Sequence, residues 1–236
     1  MSQAPVTPLH TPIPVWFQLP EGFIEIPLVE NPQLRAQRMG EMLEATFPAA
    51  PLDEKLTLVA ASELLMQGLL DAGAIHASSF LYRLGDGDVC SGTAIVFMED
   101  KNVRPLEIFA ERTLYSASAE YTDVPLDKGE LNLPCGTAVL IARDVAGTSL
   151  ASIVQPTEGG AAEVNRQLEV YIPFPHGFSL LKVCFATPDL GAWEELLPAF
   201  GKFLTGIAFT PPGRPRTGQN VDRMCAADDW AQQEFG

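Results

Sequence analysis

The chain has 236 residues, a length that suits one large domain or two small ones. Hydrophobic residues make up 47% of it and charged residues 19%, which excludes a disordered, collagen-like or coiled-coil chain. With 15 Lys and Arg against 30 Asp and Glu the net charge is −15, so nucleic-acid backbones and anionic membrane surfaces, which repel this sign of charge, are not expected partners.

The chain begins with a proline-rich arm over residues 1–15, where an extended backbone is expected. This arm lacks the basic and apolar regions of a secretory signal, so we expect a cytoplasmic protein. The sequence contains no run of about 18 apolar residues, so it predicts no membrane span. We therefore predict an arm at 1–15, a single α+β domain at 16–209, and a linker with a polar tail at 210–236.

Two adjacent helices are predicted after a hairpin or bent edge strand within residues 16–28. Asn31 and Pro32 mark the start of the first helix, which ends before Pro48. Its predicted apolar stripe consists of Leu34, Met42, Leu43 and Phe47. Asp53 is expected to cap the second helix and Gly73 to end it. The predicted apolar face of that helix consists of Leu56, Val59, Leu65, Leu69 and Leu70.

Alternating apolar and polar residues predict most of the remaining chain as strands. Two of these runs flank the acidic turn Gly85–Asp88, as in a β-hairpin, and a third helix opens at Pro105. Further strands are predicted near 136–142, 150–154, 167–172 and 178–185. The last helix carries an apolar stripe from Trp193 to Ile207, and Pro198 is expected to kink or restart it. The pattern predicts an α+β fold: a central antiparallel sheet of about six to seven strands with helices on both faces.

No catalytic, cofactor or metal site is predicted from the sequence. Cys90, Cys135, Cys184 and Cys225 lie too far apart for a close metal-ligand motif. The turn at Gly85–Asp88 lacks the later ligands of a calcium loop. One enzymatic alternative stays open, namely a pocket between sheet and helices near Cys135 and His76.

The polar tail carries three large apolar side chains that have no core of their own. A segment of this kind is typical of docking to a partner or to another copy of the chain, and the alternative is that it folds back onto its own domain. The predicted partner-binding residues are Met224, Trp230 and Phe235.

The carboxyl half resembles the PsbP-like superfamily, in its uncharacterised actinobacterial branch. The resemblance rests on a strand that ends in Pro173-Phe174-Pro175, a His-Gly turn, a strand that ends at Pro188, and a helix from Trp193 to Phe209. It implies a bacterial protein with a sheet between helices and a mostly non-enzymatic role in binding proteins or stabilising an assembly. The expected function is therefore a non-catalytic protein-interaction or assembly-accessory protein. The alternative is a small-molecule-binding protein or hydrolase.

Overall fold

The computed structural model describes residues 15–28, 31–85, 87–121, 126–146 and 164–211. Four α-helices occur in these ranges: α1 (Pro32–Thr46), α2 (Leu52–Asp71), α3 (Phe109–Glu120) and α4 (Trp193–Thr205). The strands are β1 (Phe23–Ile26), β2 (Ala74–Arg83), β3 (Val89–Asp100), β4 (Leu126–Leu133), β5 (Gly136–Ala146), β6 (Val164–Pro173) and β7 (Ser179–Thr187).

The seven strands form a single sheet with the order β1-β2-β3-β7-β6-β5-β4. Every neighbouring pair is antiparallel. Helix α4 covers one face of the sheet, and the α1–α2 pair and α3 cover parts of the other. The predicted α+β sandwich with an antiparallel sheet of six to seven strands is thus confirmed.

Helix α4 buries its apolar stripe against the sheet and forms the main core. Phe200 is 1% exposed and stacks on Phe185 of β7, with 4.3 Å between the ring centroids. The helix continues through Pro198, so the predicted restart does not occur. Pro198 lies on the exposed side of α4, where water can bond to the carbonyl that the proline ring leaves without a partner.

The opposite face has two smaller cores. Under the α1–α2 pair, Met66, Leu69 and Leu70 of α2 pack against Ala77 of β2 and Phe97 of β3. Under α3, residues of that helix pack against the β5 end of the sheet, among them Phe109, Ala117, Val139 and Ile141. Helix α3 follows a 3₁₀ turn at Leu106–Ile108, just after the predicted opening at Pro105. Between these two covers the middle strands β7 and β6 carry polar side chains.

Asn31 caps α1 as predicted, because its side-chain oxygen accepts a hydrogen bond of 2.8 Å from the Gln33 amide. Asp53 does not cap α2: the helix begins at Leu52, after Pro51, which places Asp53 in the first turn. A carboxylate there still stabilises the helix through its dipole. Strand β4 was not predicted, and the strand expected near 150–154 lies outside the described residues.

The predicted apolar faces of α1 and α2 are partly wrong. In the predicted apolar stripe of the first helix only Leu43 is buried, while Leu34, Met42 and Phe47 are exposed. On α2 the exposed members of the predicted face are Leu56 and Leu65, whereas Leu69 and Leu70 pack on the sheet. The α2 sequence contains apolar residues on all sides, so its periodicity does not select the side that the fold covers.

Candidate functional site

Two ion pairs connect α1 to α2 in the α1–α2 pair. Arg35 of α1 contacts Glu63 of α2 with both Nε and Nη2, at 3.2 and 2.8 Å, and its Nη1 donates to the Leu28 carbonyl at 2.9 Å. Lys55 Nζ lies 2.5 Å from Glu44 Oε2. The residues that α2 buries most deeply are Lys55, 7% exposed, and Ser62. The interior of the helix pair is therefore unusually polar.

The outer side of α2 is correspondingly apolar. Leu64 is 75% exposed, and Leu52 and Leu56 are also exposed. Positions four apart on a helix form a continuous ridge, so these leucines line up with two small exposed residues. We call this row the α2 ridge; its members are Leu52, Leu56, Ala60, Leu64 and Gly68. A helix with apolar residues on all its sides is normally buried all round, and the α2 ridge is the uncovered part.

A second feature lies on the sheet, between the two covers. Glu169 of β6 points to this face, is 4% exposed, and has both carboxylate oxygens bonded. Its Oε2 accepts a hydrogen bond of 2.7 Å from the Tyr171 hydroxyl, and its Oε1 accepts one of 3.0 Å from Gln167 Nε2. This carboxylate is the centre of a cluster that we call the sheet cluster.

Two cations complete the sheet cluster. Arg143 Nη2 and Lys182 Nζ lie 3.7 and 3.9 Å from Glu169 Oε1. Both occupy diagonal positions next to Glu169 in the sheet register, where long side chains reach each other. Aromatic faces hold both in place: the Arg143 guanidinium lies 4.4 Å from the Tyr121 ring centroid, and Lys182 Nζ lies 5.0 Å from that of Phe97.

Neither cation of the sheet cluster forms a hydrogen bond with the residues that the structure describes. Arg143 Nε is buried and has no partner there. The side chains of Arg143 and Lys182 are only 18% and 24% exposed, so most of their surface faces protein. With one carboxylate and two cations, the cluster has an excess of one positive charge.

Cys184 lies beside Glu169 on β7 and is protonated at neutral pH. Burial, the largest effect, together with the Glu169 charge raises the pKa of Cys184 to about 11, although Gln167 Nε2 lies 2.8 Å from its sulfur. Burial and Glu169 also raise the pKa of Tyr171. Because a thiol reacts as the thiolate, Cys184 is poorly suited to act as a nucleophile.

A shallow depression of about 470 Å³ lies further along the same face of the sheet, lined by other residues of β2, β3, β6 and β7. It continues along the same strands, because Ala186 lies two residues beyond Cys184 on β7 and Asn165 two residues before Gln167 on β6. Residues two apart on a strand share a face and lie about 7 Å apart. The lining of the depression is mostly apolar and includes Phe80, Leu81, Ala186 and Pro188 beside Ser79, Ser91, Thr93 and Asn165.

The structure does not bring together the pair on which the sequence-based enzymatic alternative depended. His76 is on β2, and Cys135 lies in the turn between β4 and β5. Four strand spacings separate β2 from β5, which is about 19 Å of sheet. His76 instead contacts the Phe17 ring, at 4.9 Å between centroids, and lies 4.0 Å from Glu25 Oε1. Burial lowers the pKa of His76, more than Glu25 raises it.

The predicted partner-binding residues Met224, Trp230 and Phe235 lie outside the described residues, as does Asp86 of the acidic turn. Among the residues with a described structure, no helix is long and apolar enough to cross a membrane. The chain matches no protein-family model, no curated protein and no solved structure.

Proposed function

We propose that this chain is a non-catalytic interaction protein that assembles with a second copy of itself through the α2 ridge. One observation carries the proposal: α2 buries Lys55 and Ser62 but exposes Leu52, Leu56 and Leu64. Covering exposed leucines gains about 25 cal/mol for each Å² removed from water. Such a row of leucines on a surface helix is typical of an interaction site.

The geometry of the α2 ridge favours a second copy as its occupant. Ridges of residues four apart pack into one another when two helices cross at about −50°, the commonest class of helix packing. A two-fold axis brings the same ridge of each copy into that arrangement. Ala60 and Gly68 allow the backbones to approach closely, and a methyl group added at Gly68 meets nothing within 4 Å in a single copy.

The size of the ridge also fits a dimer. The exposed area of Leu52, Leu56 and Leu64 is on the order of 400 Å². An interface of standard size buries roughly 800 Å² per partner, of which somewhat more than half is apolar. The three leucines therefore supply about the apolar part of one such interface.

The charge of the chain predicts how salt affects the assembly. Asp53 and Asp71 flank the α2 ridge, and each copy carries a net charge of −15. Two copies repel each other, and added salt screens that repulsion. We expect the dimer to become tighter as salt is raised. A basic partner on the same surface would instead bind more weakly in salt.

Sedimentation velocity over a concentration series tests the proposal. Leu56→Glu and Leu64→Glu should each raise the dimer dissociation constant at least about tenfold, because each places a charge in the interface. Tyr115→Glu is the matched control, since Tyr115 is 77% exposed on α3, away from the ridge. A wild-type chain that stays monomeric at every concentration, or a Leu64→Glu chain that dimerises like the wild type, contradicts the proposal.

The wider role and place of this assembly belong to the same proposal. We place it in the cytosol of a bacterium, as an accessory to a larger protein complex. The PsbP-like resemblance of the strand–turn–strand–helix unit that ends at Phe209 supports an assembly role, and the dispersed cysteines favour a reducing compartment. Cell fractionation, with crosslinking before lysis, would test both the location and the partners.

A further inference from the structure

We infer that protonation of His76 opens the amino-terminal end of the domain, so that mild acid releases residues 15–19 from the face of the sheet that α4 covers. We call residues 15–19 the strap. The pairing of Trp16 with Ala208 and the packing of Phe17 hold the strap in place. Helix α2 packs on the other face of the sheet, so this response does not depend on dimer formation.

The strap is held less firmly than the sheet beneath it. Trp16 exchanges two backbone hydrogen bonds of 2.8 Å with Ala208, and this bridge lies outside the strands of the sheet. The Phe17 ring packs against His76 and against Phe203, at 4.9 and 5.2 Å between ring centroids. Strand β2, which carries His76, is bonded to β1 on one side and to β3 on the other. Local opening begins where the fewest hydrogen bonds break, so the strap opens more readily than the sheet.

His76 has no acceptor for a second ring proton while the strap is closed. The residue is 8% exposed, and its Nε2 is buried without a hydrogen-bond partner among the described residues. A neutral imidazole can leave Nε2 as a bare acceptor, but the charged ring carries an N–H there that must donate. A buried charge with an unsatisfied donor is destabilising, and displacement of the Phe17 ring lets water reach this nitrogen.

The charge that faces His76 offsets this cost only in part. Glu25 of β1 lies 4.0 Å from His76 Nδ1, beyond hydrogen-bond distance, and is 67% exposed, so solvent screens its charge. The other elements around His76 are apolar there: the strap places Phe17 on the ring, β3 places Val96 opposite it, and α4 approaches through Phe203, which packs on Phe17.

The balance of these effects sets the pH at which the strap opens. Burial lowers the pKa of His76 more than Glu25 raises it. The closed strap thus favours the neutral ring, whereas in the open state the ring is hydrated and takes up a proton near its ordinary pKa of about 6.5. The stability of the closed strap is therefore complete above this pH and falls as the pH drops below it.

Hydrogen exchange of the full chain, followed by NMR between about pH 7.5 and about pH 5.5, tests the inference. After correction for the intrinsic pH dependence of exchange, the protection of the Trp16 and Ala208 amides should fall about fivefold over this range. Both amides should also be less protected than those of the central strand β7, because the strap opens while the sheet stays intact. Constant protection at Trp16 and Ala208, or protection equal to that of β7, would overturn the inference.

Variants identify the group that takes up the proton. His76→Phe keeps a ring against Phe17 but cannot be protonated, so the protection of Trp16 should no longer change with pH. Circular dichroism checks that each variant is folded, and His76→Gln replaces His76→Phe if that variant does not fold. His176→Gln is the matched control, since His176 is exposed in the turn before β7, and it should keep the fall of about fivefold.

A pH response that persists when His76 is replaced would assign the response to another group and overturn the inference. Leu64→Glu, which changes the α2 ridge, should keep the response of the wild type. Failure of the strap and failure of the dimer are therefore separate results.

Discussion

Lys55 and Glu44 form an ion pair of 2.5 Å between α2 and α1 in which the lysine is buried and the glutamate exposed. Lys55 Nζ also lies 3.5 Å from the Pro48 carbonyl. The asymmetry decides the effect of mutation, because a buried charge that loses its partner is destabilising, whereas an exposed carboxylate that loses its partner remains solvated.

Glu44→Gln should therefore lower the free energy of unfolding more than Lys55→Met does. We expect a loss of about 1 kcal/mol for Glu44→Gln, a value kept small because Glu44 is exposed and the pair is partly screened. Lys55→Met removes the charge, fills the same space and should stay within about 1 kcal/mol of the wild type. Urea denaturation measures both. If Lys55→Met lowers the free energy of unfolding more than Glu44→Gln does, the ion pair stabilises the α1–α2 pair more than the exposure of Glu44 suggests.

Phe200→Ala should lower the free energy of unfolding by about 3–5 kcal/mol, as expected for a buried aromatic residue. Besides stacking on Phe185, the Phe200 ring meets Phe80 at 5.6 Å and Trp193 at 5.9 Å between centroids. Tyr115→Ala, at an exposed helical position, is the control and should change stability by less than about 0.5 kcal/mol. A thermal melt of Phe200→Ala equal to that of the wild type would contradict the packing of α4.

The packing of α4 on the sheet was predictable because the apolar residues of this helix lie on one side. Trp193, Phe200 and Ile207 recur at helical spacing, and only one side of the helix is apolar, so the side that packs on the sheet follows from the pattern. For α2 the same method fails, since Leu56 and Leu65 fit an apolar face as well as Leu69 and Leu70 do. Which of them are buried depends on where the sheet and α1 lie.

Strand β4 and the sheet cluster are two features that the sequence pattern did not reveal. Strand β4 is an edge strand in which Leu131 and Leu133 alternate with polar residues, so its apolar signal is short. Arg143, Glu169 and Lys182 lie on three separate strands, and only the order β5-β6-β7 places them side by side. A single charged residue within an apolar strand run, such as Glu169 between Leu168 and Val170, was the available signal.

Stability should fall in alkaline solution because of Cys184 and Tyr171. Burial raises the pKa of Cys184 from an ordinary value of about 8.5 to about 11, and it raises the pKa of Tyr171 as well. A raised pKa means that the folded state holds the proton more tightly, so this stability is present below about pH 8.5 and is lost as the pH rises toward 11.

Urea denaturation at a series of pH values tests this dependence. Each group contributes at most about 1.4 kcal/mol per pH unit to the slope. Cys184→Ala should make the fall between pH 9 and 11 less steep, and Tyr171→Phe should do so at higher pH. Cys90→Ala changes a second buried thiol, outside the sheet cluster, and because burial also raises the pKa of Cys90, this variant should reduce the slope as well. A slope unchanged in Cys184→Ala would mean that the thiol is hydrated in the folded protein.

Deletion of residues 211–236 should leave the domain folded but weaken its association with a partner or with its own copies. The residues just before the deletion are packed into the domain: Ile207 is buried, Ala208 pairs with Trp16, and the Phe209 ring lies 4.4 Å from that of Phe174. The deleted residues include the apolar anchors Met224, Trp230 and Phe235, and anchors of this type commonly contribute about 2 kcal/mol each.

A thermal melt and sedimentation velocity on the truncated chain test this prediction together. We expect an unchanged melting temperature with weaker association, and the same result when Trp230 and Phe235 are replaced by Ala in the full-length chain. Comparison with Leu64→Glu separates the tail from the α2 ridge, because that variant keeps the tail and loses the ridge. Unfolding of the truncated chain would place the tail in the core, and association equal to that of the full chain would show that the tail does not dock.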